Sequence, residues 1–357
     1  MKFLHTSDWH VGKTLKGRNR LEEQRAVLAE IVDIAIAREV DAVLVAGDLY
    51  ETSAPSADAQ KLVINTLLTL ARSGIEVIAI AGNHDHGATF EVYRPVMRAA
   101  GIHLSGAVRP ADGGGVHRFT ARSTGEETVV AVVPFLSQRY AVRAAEIVGN
   151  TPAQNVGSYD QMFREVLANL TGAFTGSTVN LVMAHVTCTG GIFGGGERAA
   201  QSIFEYHVPA SIFPVEAHYV ALGHLHRRQT LPAACPVVYS GAPIAVDFGE
   251  QANINVVCLV EATPSTPAKI TDIPITAGRR LRTITGTVAQ LIAAADQYND
   301  DYLRVWVTEP TRAGLRDDVI AALPNALEIR IHPDFSEATT SNRPSICLLY
   351  TSPSPRD

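Results

Sequence analysis

The sequence feature that most constrains the fold is a series of short apolar runs that end in polar, metal-ligating side chains. The clearest run is 75–81, a β-branched segment that predicts a buried strand and leads directly into Gly82-Asn83-His84-Asp85. An amide, an imidazole and a carboxylate are therefore presented together just past the carboxyl end of a strand, where open α/β sheets build their sites. Taken alone, the tetrapeptide could equally form a Gly-Asn turn held by an Asx-type hydrogen bond.

Other predicted strands finish in the same way. Residues two apart in extended backbone point in the same direction, so Asp8 and His10, which follow the first predicted strand, can reach one metal ion. Oxygen and imidazole ligands without a thiolate suit Mn²⁺, Fe²⁺ or Zn²⁺, and a set of this size suits two ions that share a carboxylate. The alternative is that polar core residues fall at all these strand ends by chance. The strand-end residues are Asp8, His10, Asp48, Asn83, His84, His185, His224 and His226.

The order of the predicted elements indicates the fold class. Strands and helices alternate through the first hundred residues, with helices predicted over 21–38 and 55–71, and this alternation implies a layered α/β domain. The later strands look antiparallel, and we expect them to complete an antiparallel second half. These strands are Val237–Ser240, Ile254–Glu261 and Lys269–Ile275, with 262–268 as a polar hairpin loop.

A change of composition near 277–280 marks the start of a second, smaller unit. From there the pattern predicts strand, helix, strand, helix and strand, which makes a small separate α/β unit over 277–335 after a main domain over 1–276. Residues 336–357 are expected to be a disordered or non-native tail, because two prolines close together, Pro353 and Pro355, block regular structure there. The last dozen residues resemble a read-through or sequencing-adapter scar.

Charge and composition limit the possible environments and partners. The net charge of −6 argues against a basic surface that simply coats nucleic acid, but bound divalent cations would still supply positive charge to a nuclease site. The four cysteines are scattered without a CxxC pair, so we expect a reducing compartment and no disulfide framework. No apolar run approaches the ~20 residues of a membrane span, and the N-terminus has no apolar signal region. We therefore expect a soluble, cytoplasmic protein without a membrane partner.

Several further residues have a functional and a structural interpretation. Two groups of cations could hold the phosphates of a polyanion, or could be a solvated loop and a solvated hinge. Trp9 could pack beside the metals or against DNA, or be an ordinary core aromatic. The glycine-rich stretch 190–196 is only a weak candidate for a phosphate cradle, because it lacks the Lys-Ser/Thr of a P-loop. The cations are Lys13, Lys16, Arg18 and Arg20 in the first group, and Arg279, Arg280 and Arg282 in the second.

Taken together, the strand-end motifs resemble the signature of the calcineurin-like metallophosphoesterases: Asp-x-His, Gly-Asp, Gly-Asn-His-Asp, a later His, and Gly-His-x-His. Their flanking segments, 7–12, 47–56 and 239–243, are similar to the SbcD family, the nuclease subunits of bacterial SbcCD complexes. The resemblance covers roughly residues 1–335. It implies a four-layer α/β/β/α metallophosphoesterase sandwich, with a nuclease domain over 1–276 and a small C-terminal α/β capping domain that faces DNA over 277–335.

The resemblance also assigns roles to single residues and two divalent metal ions, expected to be Mn²⁺, to the site. His84 would not ligate metal but would face the scissile phosphate, stabilising the transition state or protonating the leaving oxygen. Glu51 stands where the family commonly has an Asp that orients this histidine. One metal would be held by Asp8, His10, Asp48 and His226, and the other by Asp48, Asn83, His185 and His224, so that Asp48 bridges.

The function implied is that of a metal-dependent DNA nuclease. Such an enzyme hydrolyses phosphodiester bonds as a double-strand exonuclease and single-strand endonuclease in DNA repair, recombination and replication. It would work as a homodimer with an SbcC-like coiled-coil ATPase. That association is expected to be weak, because the helical segment that relatives use to grip the coiled coil is missing here. Two alternatives are an enzyme acting on small phosphodiesters or phosphoproteins, which the capping unit disfavours, and a degenerate scaffold, which the complete ligand set disfavours.

Overall fold

The chain forms two six-stranded β-sheets that pack face to face, with helices on both outer surfaces. The computed structural model describes residues 1–136, 159–197, 207–298 and 300–335 of the 357. Three apolar layers hold the sandwich together: one between the sheets, one under the helices of the first sheet and one under the helix of the second. This is the predicted four-layer α/β/β/α arrangement.

The first sheet and its helices come mostly from the amino-terminal third of the chain. Its apolar outer face packs against α1 and α2 through residues such as Ile31, Leu67 and Val77. Ser56 caps α2 by accepting a hydrogen bond from the backbone N–H of Ala59. The elements are β1 (Lys2–Thr6), α1 (Leu21–Ala37), β2 (Ala42–Val45), α2 (Ala57–Arg72), β3 (Glu76–Ile80), α3 (Gly87–Ala99) and β4 (Ile102–Ser105).

The second sheet and the two last strands of the first sheet follow. A tight turn over Ala111–Gly115 leads from β4 into the second sheet. The elements are β5 (Val116–Thr120), β6 (Glu127–Val133), α4 (Tyr159–Thr171), β7 (Val179–His185), β8 (Thr187–Cys188), β9 (His207–Val208), β10 (Tyr219–Gly223), β11 (Gln229–Leu231), β12 (Val237–Tyr239), β13 (Val256–Thr263) and β14 (Thr266–Pro274).

The sheet topology brings many strand ends to one edge of the sandwich. The first sheet has the order β14-β13-β1-β2-β3-β4, in which β1 to β4 are parallel. The second has the order β11-β12-β10-β7-β6-β5, in which β6, β7, β10 and β12 are parallel. The carboxyl ends of parallel strands lie together, so the polar residues that follow β1, β2, β3, β7 and β10 can meet.

Two expectations about the later strands were wrong. The strand predicted over 237–240 is antiparallel only to β11, a short strand that has no sequence signal of its own; with its other neighbour, β10, β12 pairs in parallel. The polar stretch 262–268 is mostly strand, because β13 and β14 leave only two residues between them and the Thr263 hydroxyl binds the turn. Exposed threonines favour strands as well as loops, so polarity misled the prediction.

The C-terminal unit is a three-stranded parallel sheet with two helices on it and an apolar core of its own. It contacts the main body through a small apolar cluster that includes Leu15, Phe248 and Tyr302. The division of the chain at 276 and 335 stays a prediction, and the predicted tail 336–357 lies outside the described residues. The elements of the unit are β15 (Leu281–Gly286), α5 (Val288–Ala293), β16 (Tyr302–Val307), α6 (Leu315–Ala322) and β17 (Ala326–Ile331).

Within the described parts of the chain, none of the helices combines the length and the apolar character that a membrane crossing requires.

Candidate metal centre

The strand-end residues named by the sequence converge at one edge of the sandwich. Side-chain atoms that can ligate a metal lie within 4.8 Å of one another in overlapping groups. All of these side chains but Asn83 are buried. The groups are Asp8, His10 and His226; His10, Asp48 and His84; and Asp48, His185 and His224.

Two ligand pockets can be distinguished, and Asp48 lies between them. In the first pocket His10 Nε2 is 3.0 Å from His226 Nε2 and 3.7 Å from the Asp48 carboxylate. In the second, Asn83 Oδ1 is 2.9 Å from both His185 Nε2 and His224 Nδ1. His185 Nε2 is 3.4 Å from the Asp48 carboxylate. The arrangement matches the expected sharing of Asp48, whose role as a bridging ligand stays a prediction.

The backbone at these positions is strained. Asp8, His10, Asp48 and His224 have φ values of 55°, 46°, 52° and 103°, in the region that side-chain-bearing residues rarely adopt. Each such residue costs on the order of 1–3 kcal/mol, and strain of this kind gathers at functional sites. Gly82 is needed beside them, because a Cβ there would lie 2.1 Å from the Asp48 carboxylate. The side chains of these residues are therefore directed into the site at a cost in backbone conformational energy.

Hydrogen bonds fix the protons of the two histidines in the first pocket. His10 Nδ1 donates to the Glu51 carboxylate at 3.0 Å, and His226 Nδ1 donates to the Glu250 carboxylate at 2.6 Å. Both Nε2 atoms therefore face the pocket with their lone pairs when the rings are neutral. Two lone pairs 3.0 Å apart repel each other unless a cation or a proton lies between them. The donor set thus fits a divalent metal ion.

Charge coupling among these buried groups supports the same conclusion. Burial lowers the pKa of His226, but the Glu250 charge and hydrogen bond outweigh it and raise that pKa to about 10. Burial acts similarly on His185, where the Asp48 charge raises the pKa to about 9. Burial opposes ionisation of Asp48 as well, yet the charge of His185 holds its pKa well below the usual range. Without metal, protons on the imidazoles supply the positive charge that the carboxylates require.

Asp8 and His224 respond differently to the same surroundings. Burial raises the pKa of Asp8 to about 6, although His226 and His185 counteract it. Burial and the charge of His185 lower the pKa of His224 well below its usual value, so this ring is neutral and has a lone pair to offer. A metal ion must therefore displace a proton from His226 and His185, whereas His224 is already neutral.

His84 lies beside both pockets. Its backbone N–H donates to Asp48 Oδ1 at 2.8 Å, and its ring Nδ1 donates to the main-chain carbonyl of Glu51 at 2.7 Å. A carbonyl only accepts, so Nδ1 has the proton and Nε2 is the nitrogen that can exchange a proton with a substrate oxygen. Its ring centroid is 4.6 Å from that of His10. This placement is consistent with the predicted role next to a scissile phosphate.

Glu51 differs in detail from the expectation. Its carboxylate is 3.7 Å from His84 Nδ1, too far for a hydrogen bond, and binds His10 and Lys13 instead. Glu51 contacts His84 only through its main-chain carbonyl. The extra methylene, compared with the Asp usual in the family, lets the carboxylate reach past His84 to the ligand behind it.

The sequence analysis missed three acidic residues that hold the site together. Asp85 accepts backbone N–H bonds from Leu49, Tyr50 and Gly82 and so ties the loops after β2 and β3 to each other. Its place in the Gly-Asn-His-Asp motif was a signal for this. Glu250 and Glu197 had no signal, because both lie far from the motifs in sequence and meet His226 only in the folded chain.

The predicted phosphate contacts near the site have diverse environments. Arg20 is buried, binds Glu23 and the Ala245 carbonyl, and lies over the Tyr302 ring. It therefore offers no accessible guanidinium to DNA, which corrects the expectation for this residue. Lys13 pairs with Glu51, Lys16 pairs with Glu328, and Arg18 is exposed, with no polar side-chain partner among the described residues.

The arginines at the start of the C-terminal unit also differ from one another. Arg279 lies over the Tyr302 ring, with 5.1 Å from its guanidinium carbon to the centroid. Arg282 pairs with Asp301 at 2.8 Å. The Arg280 side chain is exposed and binds no polar group in the described parts of the chain. Of the three, Arg280 is thus the best placed for a phosphate.

Two further ambiguities are resolved by contacts. Trp9 is buried and donates its indole N–H to Thr6 Oγ1 at 2.9 Å, so it is a core aromatic. In the glycine-rich stretch, the backbone N–H groups of Gly194 and Gly195 donate to the Glu197 carboxylate. An acidic side chain therefore takes the place that a phosphate would occupy in a cradle.

Comparison with known proteins agrees with this geometry. The family model described as calcineurin-like phosphoesterase matches residues 1–228. The chain is 34% identical to the SbcD subunit of the nuclease SbcCD from Bacillus subtilis (strain 168), over 79% of this chain and 71% of that protein. It is 35% identical to the protein of the same name from Rhodobacter capsulatus, over 70% of this chain and 64% of the relative. It is 26% identical to the protein of the same name from Escherichia coli (strain K12), over 84% of this chain and 74% of the relative.

Proposed function

The chain belongs to the calcineurin-like phosphoesterase family, within the group of SbcD nuclease subunits, and from this premise we propose that it is a metal-dependent DNA nuclease. The observation that carries the proposal is the pair of buried ligand pockets that share Asp48, with His84 beside them. Phosphodiester hydrolysis by a two-metal clamp needs both features. The enzyme would be a hydrolase.

The proposed cofactors are two Mn²⁺ ions. The oxygen and imidazole donors of the two pockets, with no thiolate among them, fit a divalent ion of this class. One ion would be held by Asp8, His10, Asp48 and His226. The other would be held by Asp48, Asn83, His185 and His224. When bound, such ions polarise the phosphoryl group and make water easier to deprotonate.

The side chains of the protein contribute position and proton transfer. His84, held through its Nδ1 proton by the Glu51 carbonyl, would in its doubly protonated form donate the second proton, on Nε2, to the leaving oxygen of the cleaved bond and would itself become neutral. The hydrogen bond from its backbone N–H to Asp48 keeps this ring next to the shared ligand. The carboxylates and imidazoles of the two pockets are buried, so electrostatic interactions among them are strong.

DNA is the proposed substrate, and an SbcC-like coiled-coil ATPase the proposed partner, in a complex that contains a dimer of this chain. The names of the relatives support both, and the described surface adds Arg18 and Arg280 as exposed cations without a competing partner. Lys13 and Lys16 have ion-pair partners, Glu51 and Glu328, that a phosphate would have to displace. The proposed activities are double-strand exonuclease and single-strand endonuclease cleavage in DNA repair, recombination and replication.

A nuclease assay tests the proposal. The purified chain is incubated with Mn²⁺ and end-labelled linear duplex, with and without the ATPase partner, and in parallel with a small chromogenic phosphodiester. We expect metal-dependent release of labelled nucleotides that disappears on chelation and in the His84→Ala variant. Turnover of the small phosphodiester together with inert DNA would instead favour the small-substrate alternative, and no metal-dependent hydrolysis of either would contradict the proposal.

A further inference from the structure

We infer that the two metal positions are unequal, and that the pocket of Asp8, His10 and His226 is the tighter because two carboxylates, Glu51 and Glu250, support its histidines from behind. The inference rests on the proposed metal-dependent function. It adds a positioning role for Glu250, a residue that none of the strand-end motifs contains.

Glu250 is bonded to the outer nitrogen of His226, the one that does not face His10. One carboxylate oxygen accepts the His226 Nδ1 proton at 2.6 Å, and the other accepts the backbone N–H of Val246 at 2.7 Å. The side chain is 1% exposed and lies at the end of a short 3₁₀ helix, Phe248–Glu250, capped by Asp247. A buried carboxylate on the outer nitrogen of a ligating histidine fixes the ring and makes the inner nitrogen a stronger donor.

The glycine-rich stretch closes over this pair. A Cβ on Gly196 would lie 2.0 Å from the Glu250 carboxylate, so only glycine permits the contact. The neighbouring Glu197 accepts the backbone N–H of His226 at 2.9 Å and those of Gly194 and Gly195. The loop thereby shields the Glu250–His226 bond from solvent, which strengthens its electrostatic effect.

The second pocket is built without this support. The outer nitrogen of His185, Nδ1, donates to the Ala46 carbonyl at 2.8 Å, while the inner nitrogen of His224, Nδ1, faces Asn83 Oδ1 at 2.9 Å. Among the described residues no carboxylate lies within 4 Å of the outer nitrogen of either ring. Beyond the shared Asp48, the first pocket therefore has the carboxylates of Asp8, Glu51 and Glu250 close to a bound cation, and the second has none in equivalent positions.

A Mn²⁺ titration of the metal-free protein, followed by the signal of free Mn²⁺ in electron paramagnetic resonance, tests the inference. The wild type should bind two ions in two separate steps. In Glu250→Gln the tighter step should weaken by about 10–100-fold, the range typical for groups that orient a metal ligand, while the weaker step stays unchanged. Glu250→Asp, which keeps the charge, should recover part of the loss.

A matched control is available in the same chain. Glu76 binds the ring of His103 at 2.7 Å, away from both pockets, so Glu76→Gln removes an equivalent carboxylate–histidine bond without touching a proposed ligand. It should leave both binding steps unchanged. Thermal unfolding without metal shows whether each variant is folded, and should Glu250→Gln not fold, Glu51→Gln must weaken the same step.

The outcomes separate the inference from the function. A wild type that binds no Mn²⁺ would contradict the proposed function itself. Two equal steps, a Glu250→Gln titration identical to wild type, or an equal loss in both steps would overturn the inference and leave the nuclease proposal standing.

Discussion

The metal centre and the C-terminal unit bury opposite kinds of side chain: charged ligands in the first and apolar residues in the second. At the metal centre, charged groups such as Asp8 and Asp48 are almost completely buried on backbone with positive φ. In the C-terminal unit, an apolar core is covered by regular elements, and α5 begins with a capping box in which Thr287 and Gln290 satisfy each other's backbone N–H groups. The first region gives up local stability for chemistry, and the second is stabilised by its apolar core and by the cap of α5.

This difference predicts which substitutions affect activity and which affect folding or DNA binding. Changing a ligand should abolish activity with little effect on folding, because the sheet cores do not depend on it. Changing a residue where the C-terminal unit meets the body should affect folding or DNA binding and leave the metals in place. The following predictions test that division, beginning with the largest effect.

Asp48→Ala should remove both metal ions and all measurable cleavage, because its carboxylate lies between the two pockets, beside His10 and His185, and is the proposed bridging ligand. Metal analysis after dialysis against Mn²⁺ and the duplex assay give the two readouts. Circular dichroism should show an unchanged fold. Retention of one ion at wild-type affinity would show that the pockets do not share this ligand.

His84→Ala should lower kcat by about 10²–10⁴-fold, the usual contribution of a positioned general acid. Both metal ions should remain, since His84 is bonded to Asp48 through its backbone and we propose that its ring is not a ligand. Single-turnover cleavage and metal stoichiometry are measured on the same preparation. If the variant loses metal as Asp48→Ala does, the distinction between ligand and acid is wrong.

Tyr302→Ala should destabilise the metal-free protein by about 3 kcal/mol, as for other buried aromatic residues cut back to alanine. The ring is 4% exposed, and the guanidinium carbons of Arg20 and Arg279 lie 5.6 Å and 5.1 Å from its centroid. Urea unfolding measures the change, and Tyr302→Phe, which keeps the ring, serves as the control. Mn²⁺ affinity should not change. Weaker Mn²⁺ binding would contradict the expectation that substitutions at this contact leave the metal centre unaffected.

Raising the pH from 6 to 8 should strengthen Mn²⁺ binding by about tenfold per pH unit for each proton released. The sign follows from His226 and His185, whose pKa values are raised to about 10 and about 9, so that metal must displace a proton from each ring. The gain should level off as the pH passes these values. Titrations in buffers of equal ionic strength measure it, and a flat profile would mean that both rings are neutral before metal binds.

Arg280→Glu should have the smallest effect, a several-fold loss of duplex affinity with a salt dependence that is shallower by roughly one phosphate contact. The side chain is exposed and without a described polar partner. Arg316→Glu, an equivalent charge reversal in α6 of the same unit, is the control and should bind duplex like wild type if the DNA-facing surface is specific. Equal losses in both variants would indicate a general charge effect.

The sequence was informative about the site because each predicted ligand is local to a strand end. Asp8, His10 and Asn83 could be named because they follow predicted strands, but the reason given for Asp8 and His10 was wrong: both have positive φ, so extended alternation does not place them. The parallel pairing of β12 could not be predicted, since it depends on the three-residue strand β11. Glu250 could not be predicted either, because it lies 24 positions from His226 and contacts it only in the folded chain.

One loop described above connects the two regions mechanically. Residues 11–20 follow directly after His10, and Val11 pairs with Tyr50. One end of the loop is therefore next to the metal centre. At the other end Leu15 packs with Phe248 and Tyr302, and Lys16 pairs with Glu328 of the C-terminal unit. The segment that follows His10 is therefore anchored in the main body through Val11 and in the C-terminal unit through Leu15 and Lys16.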